Sequence, residues 1–178
     1  MVPMRRPHLT AVLVLAACAH PGAGAHGGLA PLDRTGLDAF VGREWVGDAT
    51  PIPDANELSG WLIQLGGSPP VTYGMSIHSY RDSDVVVAAL EVGRSGNHAR
   101  WRTTDVAWLP PRDSQLLIAA SECTVNDTLD RAVFALVRAT DTPWYDDVRL
   151  AWRLDATSGR IEPIGTARVR CQNEGYGA

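Results

Sequence analysis

The sequence contains no lysine, although arginine and the acidic residues are frequent. It also lacks the signatures of several large enzyme classes, because a G-x-S-x-G elbow, an H-E-x-x-H motif, a Walker A loop and a dinucleotide-type glycine pattern are all missing. A C-x-x-C pair and a cluster with zinc-ligand spacing are missing too. We therefore expect no cofactor and no metal, and binding rather than catalysis.

Long apolar runs are scarce as well. The run at the N-terminus, residues 9–19, is interrupted only by Thr10 and is too short for a permanent transmembrane helix, which needs about 20 residues. Arg5 and Arg6 precede it. A short positive segment followed by such a run is typical of a signal peptide. We assign residues 1–17 to this leader and exclude them from the fold.

At the end of the apolar run, Leu15-Ala16-Ala17-Cys18 resembles the lipobox of bacterial lipoproteins. The resemblance covers only the leader. It implies cleavage before Cys18, lipidation of the Cys18 thiol and anchoring in a membrane, and Ala19 after the cysteine implies the periplasmic face of the outer membrane. Signal peptidase I is the alternative, because Ala17-Cys18-Ala19 and Ala23-Gly24-Ala25 satisfy its small-x-small rule. The product would then be soluble in the periplasm or secreted.

The charge of the mature chain argues against one class of partner. Without residues 1–17 the chain has fourteen arginines and twenty acidic residues, a formal charge of −6. Nucleic acid is therefore not an expected partner, since phosphate binding needs clustered positive charge.

Residues 18–32, rich in Gly, Ala, Pro and His, predict a lipid-anchored flexible linker. Residues 33–178 are long enough for a single domain.

The domain reads as a series of short strands. Apolar and polar residues alternate in runs separated by turn residues, which predicts about eight strands. We expect an all-β fold, a single antiparallel sandwich or barrel, with at most one short helix, within 33–45. Continuous apolar runs at 85–92 and 132–137 predict strands buried on both faces. A change of phase near Thr104 and Asp105 predicts a β-bulge.

The clearest local pattern is a hairpin over 148–171. Pairing of Asp155 with Arg160 around the turn sets Arg153 opposite Glu162, and the same register sets Arg149 opposite Thr166 and Asp147 opposite Arg168. We expect ion pairs between Arg153 and Glu162 and between Asp147 and Arg168. The other face is predicted to be core: Val148, Trp152, Leu154, Ile161, Pro163, Ala167, Val169 and Cys171.

The cysteine count is compatible with export. Whether Cys18 is lipidated or removed with the leader, Cys123 and Cys171 remain as an even pair in an oxidising compartment. We expect them to form a disulfide, which for a loop of this length contributes about 4 kcal/mol of stability in the chain-entropy model. Two buried thiols are the alternative. The hairpin register also places Trp144 near Cys171, where it would cover the bond.

The candidate binding residues are cationic or aromatic. Arg100, Arg149 and Arg170 have no assigned acidic partner. His78 is predicted on the polar, solvated face of its strand, where it could meet Arg100 or Arg102 if strands 71–80 and 98–109 are neighbours. Trp144 and Tyr145 lie in the loop 141–147, which also carries three aspartates. Aromatic faces beside carboxylates suit a sugar or a calcium ion. We assign no catalytic residue.

Two functions follow from these residues. The first is an exported, lipid-anchored envelope protein that acts as a binding module, such as an inhibitor, an immunity-type protein or an accessory subunit, with another envelope protein as its partner. The alternative is a small envelope hydrolase or carbohydrate-binding protein that uses acidic residues of the 141–147 loop.

The lipid anchor can be tested in the producing bacterium by labelling with an alkyne fatty acid. The wild-type protein should become labelled and the Cys18→Ala variant should not, because that variant lacks the thiol to be acylated. A wild-type protein that remains unlabelled, while other lipoproteins in the same cells are labelled, would exclude the anchor.

Overall fold

A computed structural model describes residues 29–47, 49–66 and 68–177. The leader, Cys18 and most of the predicted linker lie outside these ranges. Within them the fold is all-β, as predicted. The predicted single sandwich or barrel of about eight strands is wrong in detail, since the described residues form thirteen strands in three antiparallel sheets, none of them closed.

The strands in chain order are β1 (Glu44–Val46), β2 (Asn56–Leu65), β3 (Val71–Tyr80), β4 (Ser83–Ser95), β5 (His98–Trp108), β6 (Leu116–Ala120), β7 (Cys123–Val125), β8 (Thr128–Leu129), β9 (Val133–Arg138), β10 (Trp144–Tyr145), β11 (Val148–Asp155), β12 (Arg160–Ile164) and β13 (Val169–Gln172). A five-stranded sheet has the order β1-β5-β4-β3-β2. A central sheet has the order β12-β11-β9-β6, and a small sheet has the order β10-β13-β7-β8.

The central sheet is buried on both faces. One face packs against the five-stranded sheet in the main core, where Phe134 and Trp152 meet Met75 and Val86. The other face packs against the small sheet, where Val133, Ala135 and Val137 of β9 meet both domain cysteines. A strand covered on both sides needs apolar residues at every position. The prediction from the run 132–137 is therefore confirmed.

The outer face of the five-stranded sheet, which points away from the main core, is partly covered by the N-terminal segment. Leu37, Phe40 and Ile52 pack there on Val85 and Val87 of β4. This cover explains why β4 is also apolar on both faces, as its sequence predicts. The rest of the outer face contains the groove described below.

The predicted short helix within 33–45 is reduced to one 3₁₀ turn, Asp38–Phe40. Gly36 and Gly42 flank it with φ of +76° and +83°, a left-handed conformation that ends a right-handed helix. Leu37 and Phe40 are buried, whereas Val41 is exposed.

The hairpin register is confirmed from Ala151 opposite Ile164 to Asp155 opposite Arg160. Beyond Ile164 the prediction is wrong, because a turn at residues 166–168 redirects the chain and β13 joins the small sheet. Arg149 and Asp147 consequently do not face Thr166 and Arg168, and Ala167 is exposed instead of buried.

The ion pairs predicted for the hairpin are replaced by others. Arg153 pairs with Asp130 at 2.7 Å rather than with Glu162. Arg168 donates to Asn126 Oδ1 at 2.8 Å rather than to Asp147. In both cases the observed partner comes from the 126–130 region, whose position beside the hairpin depends on tertiary packing.

The predicted disulfide joins Cys123 to Cys171, which lie directly opposite on β7 and β13 and are fully buried. The side chain that packs in this cluster is that of Tyr145, which pairs with Cys171. Trp144 pairs with Gln172. Since neighbouring residues of a strand point to opposite faces, Trp144 does not cover the bond as predicted.

The bulge predicted at the phase change of β5 is confirmed at Thr104. Ala88 faces Asp105 and the adjacent Ala89 faces Thr103, so Thr104 is the extra residue. The bulge turns Asp105 towards the main core, where its carboxylate is buried. Arg34 donates to both oxygens of this carboxylate at 2.7 and 2.8 Å, and the Ile161 amide donates at 2.8 Å.

Candidate functional site

A groove with a volume of about 540 Å³ lies on the outer face of the five-stranded sheet. Alternate residues of β3 form its floor: Gly74, Ser76 and His78 point outward, whereas Tyr73, Met75 and Ile77 point into the main core. Ala89 of β4 extends the floor towards β5. Because Gly74, Ser76 and Ala89 have small side chains, they leave a depression in this face of the sheet.

Two tryptophans from adjacent strands form one wall of the groove. Trp45 of β1 and Trp101 of β5 are directly paired across the two strands, and both are half-buried. Three carbons of the six-membered ring of Trp101 lie 3.4–3.6 Å from the point that a Cβ on Gly74 would occupy. Trp101 therefore reaches over β4 and rests on the glycine. A methyl group at position 74 would make ordinary van der Waals contact with the ring, and a larger side chain such as valine would displace it.

The opposite wall comes from β2, an edge strand of the sheet. Leu62 and Glu57 line it and are exposed. Glu57 Oε1 lies 2.8 Å from where a Cβ on Gly60 would be, and Ser76 Cβ lies 3.7 Å from the same point. The carboxylate of Glu57 thus lies over Gly60, close to Ser76. Among the described lining residues, only Glu57 carries a formal charge.

Ser76 and His78 form a hydrogen-bonded pair in the floor, with 2.7 Å between Ser76 Oγ and His78 Nε2. His78 is 1% exposed, and burial lowers its pKa below the ordinary value of 6.5, so the ring is neutral at pH 7. Its Nδ1 is buried and has no hydrogen-bond partner among the described residues.

The surroundings of His78 Nδ1 bear on two roles for this pair. A histidine that activates a serine as a nucleophile holds its proton on Nδ1, fixed by a third group. Here that proton would be a buried donor without an acceptor, an arrangement that costs about 1–3 kcal/mol. The tautomer protonated on Nε2 leaves Nδ1 as an unpaired acceptor instead, donates to Ser76 Oγ and cannot take the Ser76 proton. The half-buried Ser76 hydroxyl is then able to donate its own proton into the groove, which suits ligand binding.

His78 was predicted as a candidate binding residue on a polar, solvated strand face. It does line the groove, but solvation is wrong because the side chain is buried. It does not meet Arg100, because β4 lies between β3 and β5. The sequence analysis missed Trp45, Trp101 and Ser76. The signal for Ser76 was present, as the small and polar residues of β3 alternate strictly with its core residues.

The predicted arginines do not come together. Arg100 lies beside Glu44 at 3.6 Å on the five-stranded sheet. Arg149 pairs with Asp147 at 2.8 Å. Arg170 pairs with Asp127 at 3.1 Å and stacks on Trp144 with 4.6 Å from its guanidinium carbon to the ring centroid. Exposed pairs of this kind contribute about 0–1 kcal/mol each. All three cations therefore have the acidic neighbours that the sequence analysis did not find.

The acidic loop 141–147 borders a second recess of about 500 Å³, lined by Asp127, Asp146, Asp147 and Arg170 among others. Asp147 accepts from Arg138 at 3.2 Å and from Arg149 at 2.8 Å. No group of three His, Cys, Asp or Glu side chains in the described ranges is arranged to hold a metal ion. The carboxylates of this recess are thus largely engaged by arginines.

Comparison with protein-family models, curated proteins and solved structures finds no match to this chain. Among the residues with described positions, none belongs to a helix long and apolar enough to cross a membrane.

The buried histidine predicts a specific pH dependence of stability. Because the pKa of His78 is lower in the folded than in the unfolded state, the unfolded state binds its proton first as the pH falls. The contribution of His78 to the free energy of unfolding is fully present above pH 6.5 and is lost as the pH falls through the lowered pKa of the folded state. For one proton, the free energy of unfolding changes by at most about 1.4 kcal/mol per pH unit. His78→Gln should reduce this slope in urea unfolding between pH 7.5 and pH 5.

The matched control is His98→Gln, since His98 is exposed. It should unfold with the wild-type pH dependence. An unchanged slope in His78→Gln would contradict the burial of a neutral histidine.

Proposed function

We propose that this protein is an exported, lipid-anchored envelope protein that binds a small-molecule ligand in the groove over β3. The observation that carries the proposal is the placement of Trp101 on Gly74, beside the Ser76–His78 pair. An aromatic surface next to a few fixed polar groups is the usual composition of a small-molecule site, and 540 Å³ falls within the range of about 300–1,000 Å³ that such sites occupy. The lipobox-like leader and the pair of domain cysteines support export.

Sequence features and site chemistry favour a binding module over an enzyme. The serine in the groove has a histidine neighbour, but Nδ1 of that histidine has no group to orient it within the described part of the chain. Apart from Ser76, His78 and Glu57, the described side chains that line the groove are apolar or aromatic. These groups can hold a ligand by stacking and hydrogen bonding, and they do not form a recognisable nucleophile and base.

The alternative function is hydrolysis or sugar binding by acidic residues of the 141–147 loop. In its favour, Asp146 and Asp147 border the same recess as Asp127. Against it, Asp147 accepts from two arginines and Asp127 pairs with Arg170. A general acid or a cation site requires carboxylates that are not already neutralised in this way. We therefore place the ligand in the groove over β3.

The groove can be tested with N-phenyl-1-naphthylamine, an uncharged aromatic probe whose fluorescence rises in apolar surroundings. The mature protein should bind it, and Trp101→Ala should weaken binding about 10-fold because the main apolar contact is lost. Gly74→Val should have a similar effect, since its side chain displaces the Trp101 ring.

The matched control is Trp144→Ala, which removes another half-buried tryptophan far along the chain on the small sheet. It should leave the affinity for the probe unchanged. The proposed function fails if the probe does not bind, or if Trp144→Ala and Trp101→Ala weaken binding equally.

A further inference from the structure

We infer that the ligand of the groove is a neutral saccharide, with a pyranose ring stacked on Trp101 and hydroxyl groups bonded to Ser76 and Glu57. This inference rests on the proposed function and adds the chemical class of the ligand.

The charge of the described lining residues disfavours anionic ligands. Glu57 is the only charged side chain among the described lining residues, and no arginine lies among them. Phosphates, fatty-acid carboxylates and nucleic acids would meet a carboxylate without any compensating cation. Like charges repel, so an anion beside this carboxylate is unfavourable. The ligand is therefore neutral or positively charged.

The geometry of Trp101 favours a flat ligand with an apolar face. The ring rests on Gly74 on one side and is half-buried, so part of its surface is open to the groove. A pyranose ring presents axial C–H groups on one face and hydroxyl groups around its edge. Its apolar face can stack on an aromatic ring while the edge remains free for hydrogen bonds, and aromatic rings make such contacts well.

The polar groups of the groove match the edge of a sugar. A sugar hydroxyl both donates and accepts. Glu57 can only accept when ionised, whereas Ser76, when its Oγ accepts from His78 Nε2, donates outward. Gly60 and Ser76 are cross-strand partners, and the Glu57 carboxylate covers Gly60, so the acceptor and the donor lie side by side. Two adjacent hydroxyl groups of one ring can use both.

A cationic ligand is the competing class, because tryptophan faces and a carboxylate also bind quaternary ammonium groups. The methyl groups of such a ligand cannot accept a hydrogen bond. They would cover Ser76 without accepting the outward hydrogen bond that its hydroxyl offers when His78 Nε2 donates to it, whereas a sugar hydroxyl accepts it. The Ser76–His78 pair therefore favours the saccharide.

The groove also has the shape expected for part of a longer chain. Its β2 wall is formed by exposed residues, with Leu62 57% exposed, so the ligand is not enclosed. An open groove can hold an internal segment of a polysaccharide, whereas a closed cavity admits only free sugars. An oligosaccharide is thus a better probe than a monosaccharide.

The test uses the mature protein with maltotriose, cellotriose and tri-N-acetylchitotriose, each measured by calorimetry and by displacement of N-phenyl-1-naphthylamine. At least one of these trisaccharides should bind and displace the probe. Trp101→Ala should weaken that binding about 10-fold or more, and Ser76→Ala and Glu57→Gln about 2- to 10-fold each, as expected for one hydrogen bond. Trp144→Ala should bind as the wild type does.

Tetramethylammonium chloride serves as the cationic probe, with sodium chloride at equal ionic strength as its control. Displacement by tetramethylammonium, with none by the trisaccharides, would overturn the saccharide and leave the groove as a binding site. The saccharide is also overturned, and the groove is retained as a binding site, if N-phenyl-1-naphthylamine binds in a Trp101-dependent manner and no saccharide competes. If the naphthylamine probe itself fails to bind at the groove, the proposed function and this inference both fail.

Discussion

The arrangement of the domain depends on the buried carboxylate of Asp105. The bulge at Thr104 turns it into the main core, where it accepts hydrogen bonds from Arg34 of the N-terminal segment and from the Ile161 amide of β12. Arg34 also donates to the Ile161 carbonyl oxygen at 2.8 Å. One ion pair thus connects three segments that are distant in sequence. Removing one partner of such a pair leaves a buried charge and costs about 3–5 kcal/mol, so the pair fixes how these segments meet.

The groove is a consequence of this attachment. Once Arg34 holds the N-terminal segment against β5, the chain continues over the outer face of the five-stranded sheet and β1 pairs with β5, which brings Trp45 beside Trp101. The segment covers the face over β4 but leaves it open over Gly74 and Ser76. A sheet with larger residues at these positions would have no depression for a ligand. The groove therefore depends both on the course of the N-terminal segment and on the small residues at these positions.

Local patterns predicted the parts of the fold that depend on neighbouring residues. The alternation of apolar and polar residues over 148–164 predicted the register of the hairpin. The change of phase of this alternation in β5 predicted its bulge. Contacts between distant segments were not predictable in this way. The turn at 166–168 sends β13 into another sheet, and Asp130 takes the place predicted for Glu162 beside Arg153. The burial of His78 was missed for the same reason, since alternation assigns a residue to a face but does not show what covers that face.

The position of the ligand is tested most directly by a ¹H–¹⁵N NMR titration of the assigned mature domain with soluble oligosaccharide fragments of bacterial envelope polysaccharides. Binding in the groove predicts that the largest shifts appear at the amides of Gly60, Gly74, Ser76 and Ala89 and at the Trp101 indole. Shifts concentrated instead at 126–127, 146–148 and 166–170, the residues around the second recess, would contradict the groove as the binding site and favour the acidic loop.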